Sequence, residues 1–266
     1  MTPPRLAVVG GGKMGAALVA GLLDAGWASA GEILVVEPVA ARRDELAVTF
    51  PGLEVAADLV ERPDGAVVAV KPGDVEAACR LLAGAGVRRV LSIAAGVPLA
   101  KLEAWLPAGA AVVRAMPNTP ALVGAGAAAI AGGGAAGEDD LAWAEEILSA
   151  VGIVERVPER LLDAVTGLSG SGPAYVFLVA EALIEAGVAM GLPRPASEAL
   201  AVQTLLGSAR LLAETGERAE VLRAAVTSPG GTTAAGLAAL EKRAVRAAIF
   251  EAVEAATNRS RELGSA

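Results

Sequence analysis

The feature that most constrains the fold lies in the first 15 residues, where a short β-rich run, residues 5–9, leads into Gly10-x-Gly12-x-x-Gly15. The apolar spacing of the residues that follow is helical. In this setting the first glycine permits a tight turn, the second lets a pyrophosphate approach the backbone, and the third lets the helix pack on the strand. The pattern therefore predicts a dinucleotide-binding strand–loop–helix unit, with a purely structural glycine-rich turn as the alternative.

Predicted strands and helices alternate through the N-terminal half. The pattern predicts strands at 5–9, 32–37, 53–55, 65–70, 89–93, 110–114 and 125–131, and helices at 16–25, 39–49, 75–82, 99–105 and 138–150. Such alternation indicates an α/β fold with a doubly wound, mostly parallel sheet. After residue 158 the spacing is helical, so we predict a Rossmann-type domain at 1–158 and an all-helical domain at 159–266. The helices are more apolar than a lone bundle needs, which indicates a subunit interface.

Composition excludes several classes of function. The chain has 266 residues and a net charge of −8, which argues against nucleic acid as a main partner. It contains no histidine, which excludes a Ser-His-Asp triad or a His-bearing zinc site, and we expect no metal. The single Cys79 is interpreted as a packing residue. No apolar run reaches membrane-spanning length without Gly, Pro or charge, and no basic leader is recognisable, so we expect a cytoplasmic protein that binds no membrane.

Other polar residues lie where the ends of predicted strands would form a ligand crevice. Glu37 ends the second strand, where a carboxylate can bind ribose hydroxyls and repel a 2′-phosphate, whereas Arg42 and Arg43 could instead reach such a phosphate. Lys71 follows an apolar strand, which favours contact with cofactor or substrate over a structural role. Asn118 lies in a proline-bracketed turn and either faces the nicotinamide pocket or shapes the sheet edge. NADH and NADPH both remain possible cofactors.

A second glycine-rich segment, Ser228-Pro229-Gly230-Gly231-Thr232-Thr233, precedes a helical run in the C-terminal half. Such a segment predicts a loop of backbone N–H groups and hydroxyls at a helix N-terminus, which can bind a small anion such as a carboxylate. The alternative is an ordinary loop with a helix cap.

Several motifs together give the chain a family likeness. In chain order they are Val70-Lys71-Pro72, Ser92-Ile93-Ala94-Ala95-Gly96, Arg114-Ala115-Met116-Pro117-Asn118-Thr119-Pro120, Ser169-Gly170-Ser171-Gly172-Pro173-Ala174-Tyr175 and the Ser228–Thr233 segment. With the N-terminal fingerprint, the chain resembles the pyrroline-5-carboxylate reductases, the last enzymes of proline biosynthesis. The likeness covers essentially the whole chain.

The resemblance implies a Rossmann domain, a helical dimerisation domain, NADPH or NADH as cofactor, and a homodimer or a ring of dimers in which the partner's helices complete the active site. It implies substrate contacts at Ser228, Thr232, Thr233 and, more weakly, Glu159. We assign the carboxylate of a cyclic imino acid to Ser228, Gly230, Gly231 and Thr232, and its ring nitrogen to Thr233. Catalytic contacts are expected at Thr233, Ser228 and Lys71. Cofactor contacts are expected at Gly10, Gly11, Gly12, Lys13, Met14, Gly15, Glu37, Ala69, Val70, Lys71, Pro72, Ile93, Ala94, Ala95 and Asn118.

This chain departs from the family pattern at two positions. Members that favour NADPH usually carry a small hydroxyl residue where this chain has Glu37, and many carry Asn where it has Ala56. Three alternatives remain open: a related reductase for a six-membered imine, a β-hydroxyacid dehydrogenase-like enzyme, and a non-catalytic NAD-sensing protein. The dehydrogenases need a lysine on the helix after their glycine-rich motif, and the helix after Gly172 has none. Tyr175 could donate a proton, but a packing role is favoured.

Overall fold

The fold was taken from a computed structural model, which describes residues 3–59 and 61–265. Within it the chain separates into two compact units. The first runs up to Ser171 and resumes at Glu254, and the second is Gly172–Val253. The predicted division at 158/159 follows the change from mixed to helical structure, and it stays a prediction.

The first unit is built on an eight-stranded sheet with the strand order β3-β2-β1-β4-β5-β6-β7-β8. Every neighbouring pair is parallel except β6 and β7, which are antiparallel. This arrangement confirms the predicted α/β fold class with a mostly parallel sheet. The strands are β1 Leu6–Val9, β2 Ile33–Val36, β3 Glu54–Ala56, β4 Gly65–Val68, β5 Arg89–Ser92, β6 Ala111–Met116, β7 Gly126–Gly132 and β8 Gly152–Arg156.

The sheet is covered on both faces because alternate residues of its strands point to opposite sides. On one face Leu6 and Val8 join a buried cluster with Leu18 and Leu22 of the first helix. On the other face Ala7 and Val9 join a second cluster, which also contains Val75, Cys79, Leu82 and Leu102. Such three-layer packing explains the nearly continuous apolar strands. The helices around this sheet are α1 Lys13–Asp24, α2 Ala40–Thr49, α3 Val75–Gly84, α4 Leu99–Trp105, α5 Glu138–Ser149 and α6 Leu162–Val165.

The described residues of the second unit form helices joined by turns and loops, with no strand among them. It contains α7 Gly172–Ala189, α8 Arg194–Thr215, α9 Ala219–Ala225 and α10 Thr232–Lys242, and helix α11, Val245–Ser265, begins in it and ends in the first unit. The Tyr175 hydroxyl donates to the Ala252 carbonyl at 3.4 Å, so this side chain ties α7 to α11.

Helix α7 leaves large apolar side chains uncovered by its own chain. Phe177 and Leu178 are 66% and 65% exposed. By length and composition alone, one helical stretch of the described chain, Glu159–Ala189, is long and apolar enough to cross a membrane, and none of its most apolar window is buried.

Several short elements were not predicted. Strand β8 and helix α9 are short, and a π-helical turn, Thr166–Gly170, separates α6 from α7. In this turn the Ser171 N–H donates to the Thr166 carbonyl at 2.8 Å. Such turns are rare and are often found at functional sites.

Candidate active site

The glycine loop between β1 and α1 has a different spatial reason for each glycine. Gly10 has φ of +108°, and a Cβ there would lie 2.6 Å from the Ala69 carbonyl oxygen. A Cβ at Gly15 would lie 2.1 Å from the Gly10 carbonyl oxygen. At Gly12 no described atom lies within 4 Å of a Cβ position, so the surface above this residue is open. The loop is therefore closely packed against the sheet at Gly10 and against itself at Gly15, and it is accessible to a ligand at Gly12.

This geometry fits a dinucleotide pyrophosphate. Gly12 is the N-cap of α1 and provides no side-chain hydrogen bond to the first turn. The backbone N–H groups there can receive an anion, and the helix dipole favours negative charge at this end. Lys13 is exposed in the first turn, and Met14 packs against the buried cluster under α1.

Glu37 lies immediately after β2, next to the glycine loop. Its carboxylate is fixed by two backbone donors, because Oε2 accepts from the Gly11 N–H and Oε1 accepts from the Val39 N–H, both at 2.9 Å. The residue is only 8% exposed. Arg42 Nε donates to the Gly11 carbonyl at 2.7 Å, which fastens α2 to the same loop.

The predicted contacts after β4 and β5 lie at the carboxyl edge of the sheet, where such folds bind their ligands. Ala69 and Val70 are partly buried, and Lys71 and Pro72 are exposed. Among the next group, Ile93 and Ala94 are buried whereas Ala95 is exposed.

A cavity of about 450 Å³ opens beside these strand ends. It is lined by residues after β4 and β5, by the π-helical turn and by the last turns of α11, including Pro72, Ala95, Lys101, Trp105, Thr166, Arg259 and Leu263. Sequence reasoning missed the last five, because no local pattern shows that α4, the π-helical turn and α11 meet beside the strand ends.

Asn118 uses its side-chain amide within the first unit. Its Nδ2 donates to the Ser169 carbonyl at 3.0 Å, and its Oδ1 accepts from the Ala127 N–H at 2.8 Å. These bonds join the π-helical turn to β7. They favour the shaping role over the nicotinamide contact, which stays a prediction.

Glu159 also makes bonds within the first unit. Its Oε1 accepts from the Leu99 N–H at 2.7 Å and from Arg114 at 3.0 Å. Leu99 is the first residue of α4, and the residue before it, Pro98, gives no side-chain cap. Glu159 therefore caps this helix from a distant part of the chain, and a substrate contact stays a prediction.

The Ser228–Thr233 segment belongs to the second unit. Gly230 has φ of +71°, which favours glycine, and a Cβ at Gly231 would lie 2.4 Å from Ser228 Oγ, so a side chain there would displace that hydroxyl. Helix α10 begins at Thr232 with Gly231 as its N-cap and has no side-chain cap bond. Thr233 is partly buried, whereas Ser228 and Thr232 are exposed. The Gly231 N–H donates to the Ser228 carbonyl at 3.1 Å, so this predicted donor is engaged within the loop. The N–H groups in the first turn of α10 remain available to an anion.

Comparison with known proteins gives matches over nearly the whole chain. Pyrroline-5-carboxylate reductase from Synechocystis sp. is 49% identical, over 98% of this chain and 98% of its own length. The Mycobacterium tuberculosis reductase is 45% identical, over 97% of this chain and 96% of its own length. A family model for pyrroline-5-carboxylate reductase dimerisation matches residues 159–263, and one described as NADP oxidoreductase, coenzyme F420-dependent, matches residues 5–96.

The chain belongs to the pyrroline-5-carboxylate reductase family.

Solved structures agree with this assignment. The reductase from Coxiella burnetii gives a TM-score of 0.92 at 36% identity, over 98% of this chain and 99% of the other. The Plasmodium falciparum enzyme, solved with NADP bound, gives a TM-score of 0.86 at 31% identity, over 99% of each chain. The resemblance seen in the motifs is thereby confirmed, together with the expected class of NAD(P)H-dependent oxidoreductase. The expected dimerisation domain is confirmed as a family feature.

The described residues contain no group of three or more Cys, Asp or Glu side chains arranged to hold a metal ion. Burial raises the pKa of the Cys79 thiol to about 11, so this buried cysteine is unsuited to be a nucleophile.

Proposed function

We propose that this chain reduces 1-pyrroline-5-carboxylate to L-proline with NADH or NADPH, the last step of proline biosynthesis. One observation carries the proposal: the glycine loop is open above Gly12, at the carboxyl edge of a parallel sheet, in a chain 49% identical to a reductase of this name. The loop supplies backbone donors for the cofactor pyrophosphate.

The chemistry needs little from side chains. When bound, the reduced nicotinamide supplies a hydride to the carbon of the C=N bond, and the ring nitrogen becomes the amine of proline. A protonated imine is the better hydride acceptor, and it can take its proton from water near neutral pH. A chain without histidine can therefore perform this reaction by binding and orienting the reactants.

The Ser228–Thr233 loop is the proposed carboxylate site. The Gly230 and Thr232 N–H groups and the Ser228 hydroxyl would bind the carboxylate, and the Thr233 hydroxyl would contact the ring nitrogen. Hydrogen bonds to a charged group contribute about 1.5–3 kcal/mol each, enough together to hold a small anion. Lys71, exposed after β4, is proposed to contact cofactor or substrate.

Variants of Thr233 test the assigned role. Thr233→Ala should lower kcat for imine reduction while leaving the Kd for the reduced cofactor unchanged, because it removes only the contact to the reacting ring. Thr215→Ala is the matched control, since it removes another hydroxyl of the second unit, one that donates to the Leu211 carbonyl. Unchanged turnover in a folded Thr233→Ala variant would remove this residue from the mechanism.

The reverse reaction tests the substrate class. Proline-dependent reduction of NAD⁺ or NADP⁺ at high pH should be measurable. A six-membered imine remains the main competing substrate, because one methylene changes discrimination by only about 1–3 kcal/mol. Absence of both the forward and the reverse reaction in a protein that binds cofactor would favour the non-catalytic alternative.

The partners follow from the surface. We propose a homodimer, or a ring of dimers, in which a second subunit covers the exposed apolar side chains of α7. The exposure of Phe177 and Leu178 and the match to a dimerisation family support this over a membrane partner or nucleic acid. Light scattering after size-exclusion chromatography should give at least twice the 26.3 kDa of one chain. A cytoplasmic location is proposed with it and is tested by cell fractionation.

A further inference from the structure

The carboxylate of Glu37 is fixed at the edge of the glycine loop. In a dinucleotide-binding sheet the adenosine ribose lies at the carboxyl end of the second strand, where this residue is found. Both carboxylate oxygens accept a backbone N–H, from Gly11 and from Val39, and the residue is 8% exposed. The charged group therefore has a defined place beside the ribose position.

From this placement we propose that the chain selects NADH over NADPH, and that Glu37 is the residue that determines the choice. The inference rests on the proposed function only in assuming that a nicotinamide dinucleotide binds at the glycine loop. A carboxylate has about four acceptor positions, and two are used here, so acceptors remain for the ribose 2′- and 3′-hydroxyls. A 2′-phosphate would instead meet a carboxylate of the same sign, which opposes binding.

Glu37 cannot leave this place without cost to the loop. Moving the carboxylate aside would remove the acceptors of the Gly11 and Val39 N–H groups, and an unsatisfied buried donor is unfavourable. The packing around Gly11 is also close, because a Cβ built on this residue would lie 2.5 Å from Leu46 Cδ1 and 3.3 Å from Glu37 Oε2. The repulsion of a phosphate is therefore a property of the folded loop.

The two arginines nearby are engaged with the backbone and with a surface acid. Arg42 donates through Nε to the Gly11 carbonyl and through Nη1 to Glu45. Arg43 donates through Nη1 to the Glu37 and Pro38 carbonyls, at 2.9 and 2.8 Å. These bonds brace the end of β2, and a 2′-phosphate would have to compete with them.

Binding of adenosine fragments tests the proposal without any turnover. Isothermal titration with 5′-AMP and with 2′,5′-ADP compares the two adenosine halves, and nicotinamide fluorescence gives the Kd values of NADH and NADPH. We expect the wild-type protein to bind the form without the 2′-phosphate at least about tenfold more tightly, a difference of about 1.4 kcal/mol.

Substitutions then assign the preference to one residue. Glu37→Gln, which removes the charge but keeps the size, should reduce the preference severalfold, and Glu37→Ser, which also makes space, should abolish or reverse it. Asp44→Asn is the matched control, because it removes an exposed carboxylate from helix α2, the helix that follows Glu37, and it should leave the ratio of Kd values unchanged. Thermal melts confirm folding of each variant.

Each outcome decides the question. Equal or tighter binding of NADPH by the wild-type protein overturns the proposal, and this comparison needs no variant to fold. A Glu37→Gln variant with an unchanged ratio of Kd values would show that another part of the protein determines the cofactor preference. Failure of the proposed function gives a different result. A protein that binds NADH more tightly but reduces no imine would refute the proposed function alone, whereas a protein that reduces the imine but binds NADPH at least as tightly as NADH would refute the cofactor preference alone.

Discussion

Replacing Glu159 should destabilise the first unit, because this residue binds two donors at once. Glu159 Oε1 accepts the Leu99 N–H at the start of α4 and the guanidinium of Arg114 on β6. The Arg114 side chain is 9% exposed and that of Glu159 is 34% exposed. Glu159→Ala would leave a nearly buried cation and a helix N-terminus without their acceptor.

The expected cost follows from the exposure of the two partners. Removing one partner of a fully buried ion pair costs about 3–5 kcal/mol, and water reaching Glu159 lowers this to about 2 kcal/mol. Loss of the helix cap adds about 1 kcal/mol. The total of about 3 kcal/mol corresponds to a Tm lowered by roughly 6–12 °C. Glu159→Gln keeps an oxygen that both donors can use, so we expect this variant to lose only about 1 kcal/mol of folding stability.

Chemical denaturation at one fixed protein concentration measures these changes, since the stability of an oligomer depends on concentration. Adding Arg114→Met to Glu159→Ala should recover part of the loss, because it removes the unpaired charge. Two results would refute this reasoning: a loss below about 0.5 kcal/mol for Glu159→Ala, the range of neutral surface changes, or no recovery in the double variant. A raised KM for the imine in a fully stable Glu159→Gln variant would instead support the substrate contact.

Three further predictions follow from local geometry and pKa values. Gly12→Ala should leave the melting temperature unchanged, because its Cβ would meet no described atom within 4 Å, but it should weaken cofactor binding at the open surface above the loop, whereas Gly15→Ala should impair both folding and binding. Thermal melts and NADH titrations of the two variants separate these effects. A Gly12→Ala variant with normal affinity for NADH would argue against the cofactor site. Cys79 should resist thiol reagents at pH 8 until the protein unfolds, since burial raises its pKa to about 11, and rapid labelling of folded protein would contradict this. The hydrogen bond from Arg156 lowers the pKa of Glu145, so the pair stabilises the fold above the ordinary carboxyl pKa and loses that effect as the pH falls through the lowered value. Arg156→Met should accordingly lower the free energy of unfolding more at pH 7 than in acid, where Glu145 is protonated, and an equal loss at both pH values would refute the pairing.

Most of the sheet was predictable because its strands are short apolar runs separated by helices. The runs at 65–70 and 89–93 contain β4 and β5 with only small differences at their ends. Strand β8, Gly152–Arg156, escaped prediction because it lies at the sheet edge and has no buried residue. Its polar and exposed positions resemble a loop in sequence, and pairing with β7 alone makes it a strand.

The active-site region was predictable only where local sequence determines the structure. The glycine loop follows from its own spacing, although Gly10 packs against the carbonyl of Ala69, a residue 59 positions away that the motif does not encode. The bonds of Glu159 to Leu99 and of Asn118 to Ser169 join residues 60 and 51 positions apart. No periodicity encodes such pairs, and the same holds for the last turns of α11 that line the cavity.

The most direct test of the central claim is to follow oxidation of reduced nicotinamide by 1-pyrroline-5-carboxylate and to identify the product by mass spectrometry. The account predicts one proline formed for each reduced cofactor consumed, with kcat/KM at least about tenfold above that for the six-membered homologue. A folded, cofactor-binding protein that forms no proline, or that prefers the six-membered ring, would contradict it.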